Sequence, residues 1–313
     1  MAALASEELP NSQCPIGIAG AGRMGQTLGR LLAQAGEPVV AVASRNPAHA
    51  SEGAAFVGSR IRATSLHDLP RLASRVLITV SDDAVPSVAA TLADGGLKDG
   101  VALHTCGAFG PEALRLLAEQ GVACGVIHPL QTVATPEQGL AALRGIAFGI
   151  DGNGTALVWA REIVKLLEGD ALRVTPEHRG VYHAAAVIAG NSVFGAVDAA
   201  VRLMEETGAG RDVALRALSP LVRASARNAV SIGPAKALTG PIARGDVGTV
   251  RSHLTALEKS PQAIADLYQA MGLYLLDMTR RKQGTGDSLS ELERMLTEGV
   301  KTNAGEAEEN KRS

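Results

Sequence analysis

The stretch that decides the fold is IGIAGAGRMGQTLGRLLAQAG, Ile16 to Gly36. Ile16, Ile18 and Ala19 form a short apolar run that predicts a buried strand, and Gly20, Gly22 and Gly25 follow at GxGxxG spacing. From Met24 to Gln34 apolar residues recur at helical intervals, closed by Gly36. In a strand–turn–helix unit the first glycine permits the tight turn and the second lets a pyrophosphate approach the backbone. The third permits close helix–strand packing, and the free N–H groups at the helix start hold the phosphate charge. GxGxxG alone is a weak signal; the strand before it and the helix after it supply the context it needs. Gly20, Ala21, Gly22, Arg23, Met24 and Gly25 are therefore the expected phosphate cradle, against the alternative of an ordinary glycine-rich turn.

Working outward, Pro38–Ala43 predicts a second strand, whose end should meet the adenosine ribose of a bound dinucleotide. An acidic residue there would favour NAD, but the chain carries Ser44-Arg45-Asn46. Arg45 can pair with a 2′-phosphate, with hydrogen bonds from Ser44 and Asn46, which favours NADP(H) over NAD(H). The alternative is a solvated surface arginine. A less distinct third βα element is expected over residues 61–74, then a strand over Arg75–Val80. Val80 and Ser81 become candidate neighbours of the ribose and nicotinamide, while Asp82 and Asp83 read as helix-start residues.

Two further strands, Val101–Leu103 and Val122–Ile127, each run into a histidine, His104-Thr105 and His128. Ligands bind at this edge of a parallel sheet, and histidine both donates protons near neutral pH and hydrogen-bonds a carbonyl. Each could instead cap its strand by bonding nearby backbone. Residues 145–174 read as strand, turn, helix and short strand. From Pro176 the pattern turns helical, near His178–Thr207, Arg211–Ile232, Gly245–Lys259 and Pro261–Lys282, with a Gly- and Pro-rich connection at Lys236–Asp246. SLSELERMLTEGV, from Ser288, predicts a last amphipathic helix, and the charged TNAGEAEENKRS end a disordered tail.

The chain is 313 residues long with 46% hydrophobic and 20% charged residues, enough for a substantial core in about two domains. With a net charge of −2 and 3% aromatics, nothing points to a basic nucleic-acid face or a base-stacking platform. Three scattered cysteines, Cys14, Cys106 and Cys124, make neither a disulfide framework nor a zinc site, consistent with a reducing cytoplasmic setting and inert thiols. No acidic cluster calls for a metal. Residues 1–13 lack the basic and apolar regions of a signal peptide and are expected to be a disordered leader. Tyr182–Val201 approaches membrane-spanning length, but His183, Asn191 and Asp198 interrupt it, so a buried helix of a soluble protein is expected.

HTCGAFGPEAL, HPLQT, YHAAAVIAGNSVFG and ALTGPIARGD, behind the GxGxxG motif, carry a resemblance to a bacterial family of Rossmann-like proteins classed with the NADP oxidoreductases. That family's helical C-terminal domain has no assigned function. The family is similar in layout to the β-hydroxyacid dehydrogenases, 6-phosphogluconate dehydrogenase, ketopantoate reductase and pyrroline-5-carboxylate reductase. The resemblance implies an α/β Rossmann domain (residues 12–175) followed by an all-α, 6-phosphogluconate-dehydrogenase-like domain (176–284), with 285–313 a short helix and tail. It also implies a substrate held between the domains and a homodimer packed through the helical ones. One departure stands out. The β-hydroxyacid dehydrogenases carry a lysine near the start of the long interdomain helix, and no lysine lies between Lys165 and Lys236 here. Tyr182-His183 and Asn191-Ser192 occupy the region; at ~100° per residue, Asn191 sits roughly 80° around a helix from His183. His183 would replace the lysine as proton donor, or be a core histidine satisfied by a neighbour.

The expected activity is reduction of a small polar carbonyl compound by NADPH, with His128 or His183 as proton donor and Asn191 and Thr105 as orienting groups. A 2-keto acid such as ketopantoate leads, and an imine of the pyrroline-5-carboxylate type comes second. A nucleotide-binding regulatory or scaffolding protein without turnover is the reading from another class. Arg244, in ALTGPIARGD, is a weaker candidate for an anionic substrate.

Overall fold

The computed structural model describes residues 14–309. The expected leader, residues 1–13, and the last residues, 310–313, lie outside them. The chain divides after Ser192 into two compact units, so the first takes in the helix 179–189 that the sequence pattern grouped with the helical domain.

The first unit is built on an eight-stranded sheet: β1 (Ile16–Ala19), β2 (Val39–Ala43), β3 (Arg62–Thr64), β4 (Arg75–Ile78), β5 (Val101–His104), β6 (Ala123–Pro129), β7 (Ala147–Gly152) and β8 (Asp170–Arg173). Their order is β3-β2-β1-β4-β5-β6-β7-β8. All neighbours run parallel except β6 and β7, which are antiparallel. A parallel sheet is covered on both faces, so its strands are apolar throughout rather than alternating. Ile16, Ile18, Leu77 and Leu103 enter the core on one face with α1 (Arg23–Gln34), α2 (Pro47–Val57) and α6 (Gly154–Leu166), around the buried Trp159. Val76, Ile78 and Ala102 enter the core on the other face with α3 (Val85–Asp94) and α4 (Arg115–Ala118). A short α5 (Pro136–Ala142) lies against α1. At the start of the central strand β4, Arg75, 2% exposed, donates to the Cys14 carbonyl and stacks 5.5 Å above Trp159, which ties the start of β1 to the sheet.

Several boundaries differ from the sequence pattern. No α-helix follows β3; residues 69–71 form one 3-10 turn, with Pro70 inside it. His104 and His128 lie within β5 and β6 rather than after them. The long helical pattern from His178 is interrupted at Gly190, giving α7 (Arg179–Ala189) and α8 (Asn191–Glu206).

The second unit is helical: most of α8, then α9 (Arg211–Ile232), α10 (Pro234–Ala237), α11 (Pro241–Arg244), α12 (Val247–Leu257), α13 (Gln262–Gln283) and α14 (Asp287–Glu309). Its core gathers Ile242, Val250, Leu276, Leu289, Leu292 and Leu296 from α11 to α14. The last helix runs on to Glu309, through most of the stretch whose charge pattern predicted a disordered tail. The apolar stretch in Pro176–Glu206 also differs from expectation. It is long and apolar enough to cross a membrane by length and composition, yet only 6% of its window is buried. Val181, Ile188 and Phe194 are exposed, so the helix is not the buried core element that its composition predicted.

Candidate functional site

The glycine turn after β1 separates into two kinds of position. Gly20 has φ +122°, and a Cβ there would stand 2.7 Å from the Thr79 carbonyl oxygen; a Cβ on Gly25 would stand 2.0 Å from the Gly20 carbonyl oxygen. These two glycines are required by packing. Thr79 closes the contact, its hydroxyl donating to the Gly20 carbonyl at 2.8 Å. Gly22 is different: a Cβ there meets nothing within 4 Å. It is the N-cap of α1, offers no capping side chain, and no acidic residue stands in the first helical turn. The first N–H groups of a helix have no partner within it, so α1 presents donors and positive dipole to open space. Gln26 pins the turn by donating to the Ala21 carbonyl at 2.8 Å, and Arg23 reaches the Ala134 carbonyl at 3.3 Å. These features fit a dinucleotide's diphosphate.

At the end of β2, Arg45 is exposed and makes no ion pair among the described residues. Asn46 is partly committed elsewhere, since its side-chain oxygen accepts from Ala48 N–H at 2.9 Å as the N-cap of α2. Ser44 Oγ accepts from Asn46 N–H at 3.3 Å. Past β4, Val80 packs against the core while Ser81 is exposed and precedes a 3-10 turn over Asp82–Ala84.

Along the same edge of the sheet lies a cavity of about 690 Å³ whose walls include Asp82, His128, Gln131, Thr132, Tyr182, His183 and Asn191. Its centre is a bonded pair. His128 Nδ1 stands 2.8 Å from the Tyr182 hydroxyl. The reversal of β7 puts Gly149 opposite His128 in register. A Cβ on Gly149 would fall 2.2 Å from the Tyr182 hydroxyl oxygen, so a glycine is what admits Tyr182. Of the two neutral groups the phenol is the stronger donor and the bare imidazole nitrogen the stronger acceptor, so the phenol proton goes to His128 Nδ1 and the imidazole proton stays on Nε2. Gly107, of the HTCG motif, makes room on the other side. A Cβ there would lie 2.8 Å from both His128 Nε2 and His183 Cδ2. The His128 and His183 rings meet edge-on with centroids 5.9 Å apart. Burial, reinforced by His183, holds the His128 imidazole down to about 4, and burial pushes the Tyr182 phenol up to about 12. At neutral pH both are uncharged hydrogen-bonding groups.

The structure thus brings His128, His183 and Asn191 to one cavity and leaves two other candidates away from it. His104 is fully buried, its Nδ1 accepting from Cys106 N–H at 3.2 Å and its Nε2 donating to the Gly110 carbonyl at 2.9 Å. Both ring nitrogens are spent on shaping the 105–110 loop, and burial depresses its pKa; it is a strand-end cap rather than a group facing substrate. Thr105 donates its N–H to the Ile78 carbonyl at 3.1 Å and is not among the cavity's lining residues. Arg244 belongs to the second unit, with its side chain 65% exposed and 4.0 Å from Asp246. Conversely, Asp82 and Tyr182 line the cavity, although Asp82 reads in sequence as a helix-start residue and Tyr182 carried no assigned role. Burial raises the Cys106 and Cys124 thiols to about 11, which keeps both protonated. Among the described residues no His, Cys, Asp and Glu cluster could hold a metal ion.

The depressed His128 pKa has a stability consequence. The unfolded chain takes up a proton near pH 6.5 and the native site only near 4, so native stability falls as pH drops through that window and is intact above it. Between pH 7 and 5 this one group should remove about 2 kcal/mol. Urea titrations at the two pH values should show that His128→Asn loses correspondingly less stability than the parent; equal losses would mean that His128 is not held neutral.

Residues 2–129 match a Rossmann-like domain model, and residues 146–275 match the domain of unknown function DUF2520. No curated protein matches the chain. Among solved structures, the fold is similar to that of a Bacteroides fragilis protein provisionally named an NADP oxidoreductase, at 23% identity and TM-score 0.67, covering 86% of this chain and 98% of that one. It is also similar to pyrroline carboxylate reductase from Plasmodium falciparum with NADP bound, at 14% identity and TM-score 0.54, covering 91% and 98%. A third is a reductive aminase from Aspergillus terreus in complex with NADPH and ethyl levulinate, at 18% identity and TM-score 0.55, covering 90% and 99%. The chain therefore joins a Rossmann-like domain to a C-terminal domain of the DUF2520 family.

Proposed function

We propose that this protein is an NADPH-dependent reductase of a small polar substrate with a C=O or C=N bond. The observation that carries the reading is the continuity of the glycine turn with the cavity. Thr79 bonds to the Gly20 carbonyl, and Asp82, in the 3-10 turn that follows, lines the cavity that holds His128 and Tyr182. The NADP- and NADPH-bound neighbours support the choice of nucleotide, and the exposed Arg45 at the end of β2 supports NADP(H) over NAD(H). Gly20, Gly22, Gly25 and the first N–H groups of α1 would hold the diphosphate.

When bound, NADPH would supply a hydride. The chain's own contribution is to hold and polarise the acceptor. His128, neutral and protonated at Nε2, donates a hydrogen bond to the heteroatom on which negative charge develops. Tyr182, which packs over Gly149, fixes that tautomer. His183 stands beside His128 and is the group placed to deliver a proton, with Asn191 as an orienting hydrogen bond. Between the two substrate types, a 2-keto acid such as ketopantoate would need a cation for its carboxylate, and none of the described residues lining the cavity is Lys or Arg. The same lack weighs against the carboxylate of a pyrroline-5-carboxylate, so the lining favours an imine that carries no carboxylate.

The uncovered apolar residues of α7, α8 and α9, among them Val181, Phe194, Leu221 and Val230, support a homodimer that buries them. Light scattering should then give twice the 32.1 kDa chain mass, and a single-chain mass would contradict it.

The activity test is oxidation of NADPH against a panel of cyclic imines and 2-keto acids. For a substrate so found, His128→Ala should lower kcat by about 100-fold to 1,000-fold, the cost of losing one such donor. Tyr182→Phe should lower kcat at little change in KM, because it frees the tautomer without removing the ring. Unchanged kcat in both variants would refute the assignment.

A further inference from the structure

The charge on the cavity wall is one-sided. Asp82 contributes a carboxylate, and among the described residues that line the cavity there is no lysine or arginine to balance it. The two arginines that flank this wall on β8 and α7 are already committed. Arg173 lies 3.1 Å from Asp151, and Arg179 closes on the other oxygen of the same carboxylate while donating to the Phe109 carbonyl at 3.1 Å. Gln131, Thr132 and Asn191 add neutral polar groups only. No ion pair among the described residues reaches Asp82, and the neighbouring Cys106 thiol, held protonated, brings no charge to answer the carboxylate. A ligand entering this cavity meets a negative wall.

We propose that the cavity takes a substrate carrying positive charge on its reacting group, a protonated imine of a small amine, with Asp82 as the counter-charge and specificity-determining residue. This rests on the reductase reading above and narrows its substrate class. The electron balance suits the assignment. A hydride from the reduced nicotinamide brings two electrons to form the new C–H bond, the π pair of the C=N⁺ bond returns to nitrogen, and a neutral amine results. The positive charge that Asp82 stabilises on binding is thus discharged in the product, whose new nitrogen lone pair accepts the hydrogen bond from His128 Nε2 and then a proton relayed from water through His183. A 2-keto acid would instead set its carboxylate against that of Asp82, and like charges in a partly desolvated site oppose binding.

The test is a set of calorimetric titrations on the full-length chain, with NADP⁺ first and three ring compounds after it. These are pyrrolidine, cationic at pH 7, cyclopentanol, neutral, and cyclopentanecarboxylate, anionic. NADP⁺ uptake tests the reductase reading by itself; if it fails, the ring titrations are run without nucleotide and still read the charge preference. The expected result is pyrrolidine binding at least about tenfold tighter than the carboxylate, a preference abolished by Asp82→Asn and kept by Asp82→Glu. Cyclopentanol binding should be the same in all three proteins, which also reports that the variants are folded. Absent pyrrolidine binding, a tighter anion, or an Asp82→Asn variant with unchanged preference would each overturn the proposal. So would carboxylate binding that Arg244→Ala abolishes, since the needed cation would then come from the second unit.

Discussion

The whole arrangement depends on the close approach of three backbone segments where β1 ends. The Gly20 carbonyl, Gly25 in the first turn of α1 and Thr79 just past the end of β4 meet with no space for a side chain at either glycine. The Thr79 hydroxyl bonds across the junction. This contact aims the first turn of α1 into open space, and it fixes where β4 hands the chain to Asp82. Nucleotide cradle and cavity are thereby held by one junction, so a strain introduced at Gly20 or Gly25 would be felt in both.

A second constraint builds the cavity itself. The sheet is parallel up to β6, and the single reversal at β7 sets Gly149 opposite His128. Tyr182 reaches across that glycine to the imidazole, so the tautomer of a residue in a strand is set by a residue on a helix. Three small residues, Gly107, Gly149 and Gly190, shape this region. The first two admit aromatic rings, and the third breaks the long apolar helix into α7 and α8. A histidine so held is a neutral donor, which suits polarisation of a C=O or C=N bond better than delivery of a proton from a cation.

Much of this was legible in the sequence. The GxGxxG turn, its strand and helix, the second-strand arginine and the strands leading to His104 and His128 follow from local apolar runs and glycine spacing. What was not legible is tertiary. Nothing local distinguishes His104 from His128, since each ends an apolar run. Their roles part because the chain folds Gly110 back onto His104, whereas His128 meets Tyr182, 54 residues away. Asp82 reads as a helix-start residue because local pattern cannot say which wall it faces. The direction of β7 leaves no trace in a short apolar run, and the apolar composition of Tyr182–Val201 does not say whether its own chain covers it; Val181, Ile188 and Phe194 stay exposed.

The central claim is that the open position at residue 22 exists for a diphosphate, and Gly22→Val tests it most directly. Gly22 has φ −76° and ψ 179°, which valine adopts without strain, and a Cβ there meets nothing within 4 Å. The substitution should therefore leave the fold intact and fill only the space that the nucleotide would use. In a calorimetric titration with NADPH the account predicts uptake by the parent and at least about a tenfold weaker affinity for Gly22→Val. Equal affinity in the two proteins, or no uptake by the parent, would contradict it.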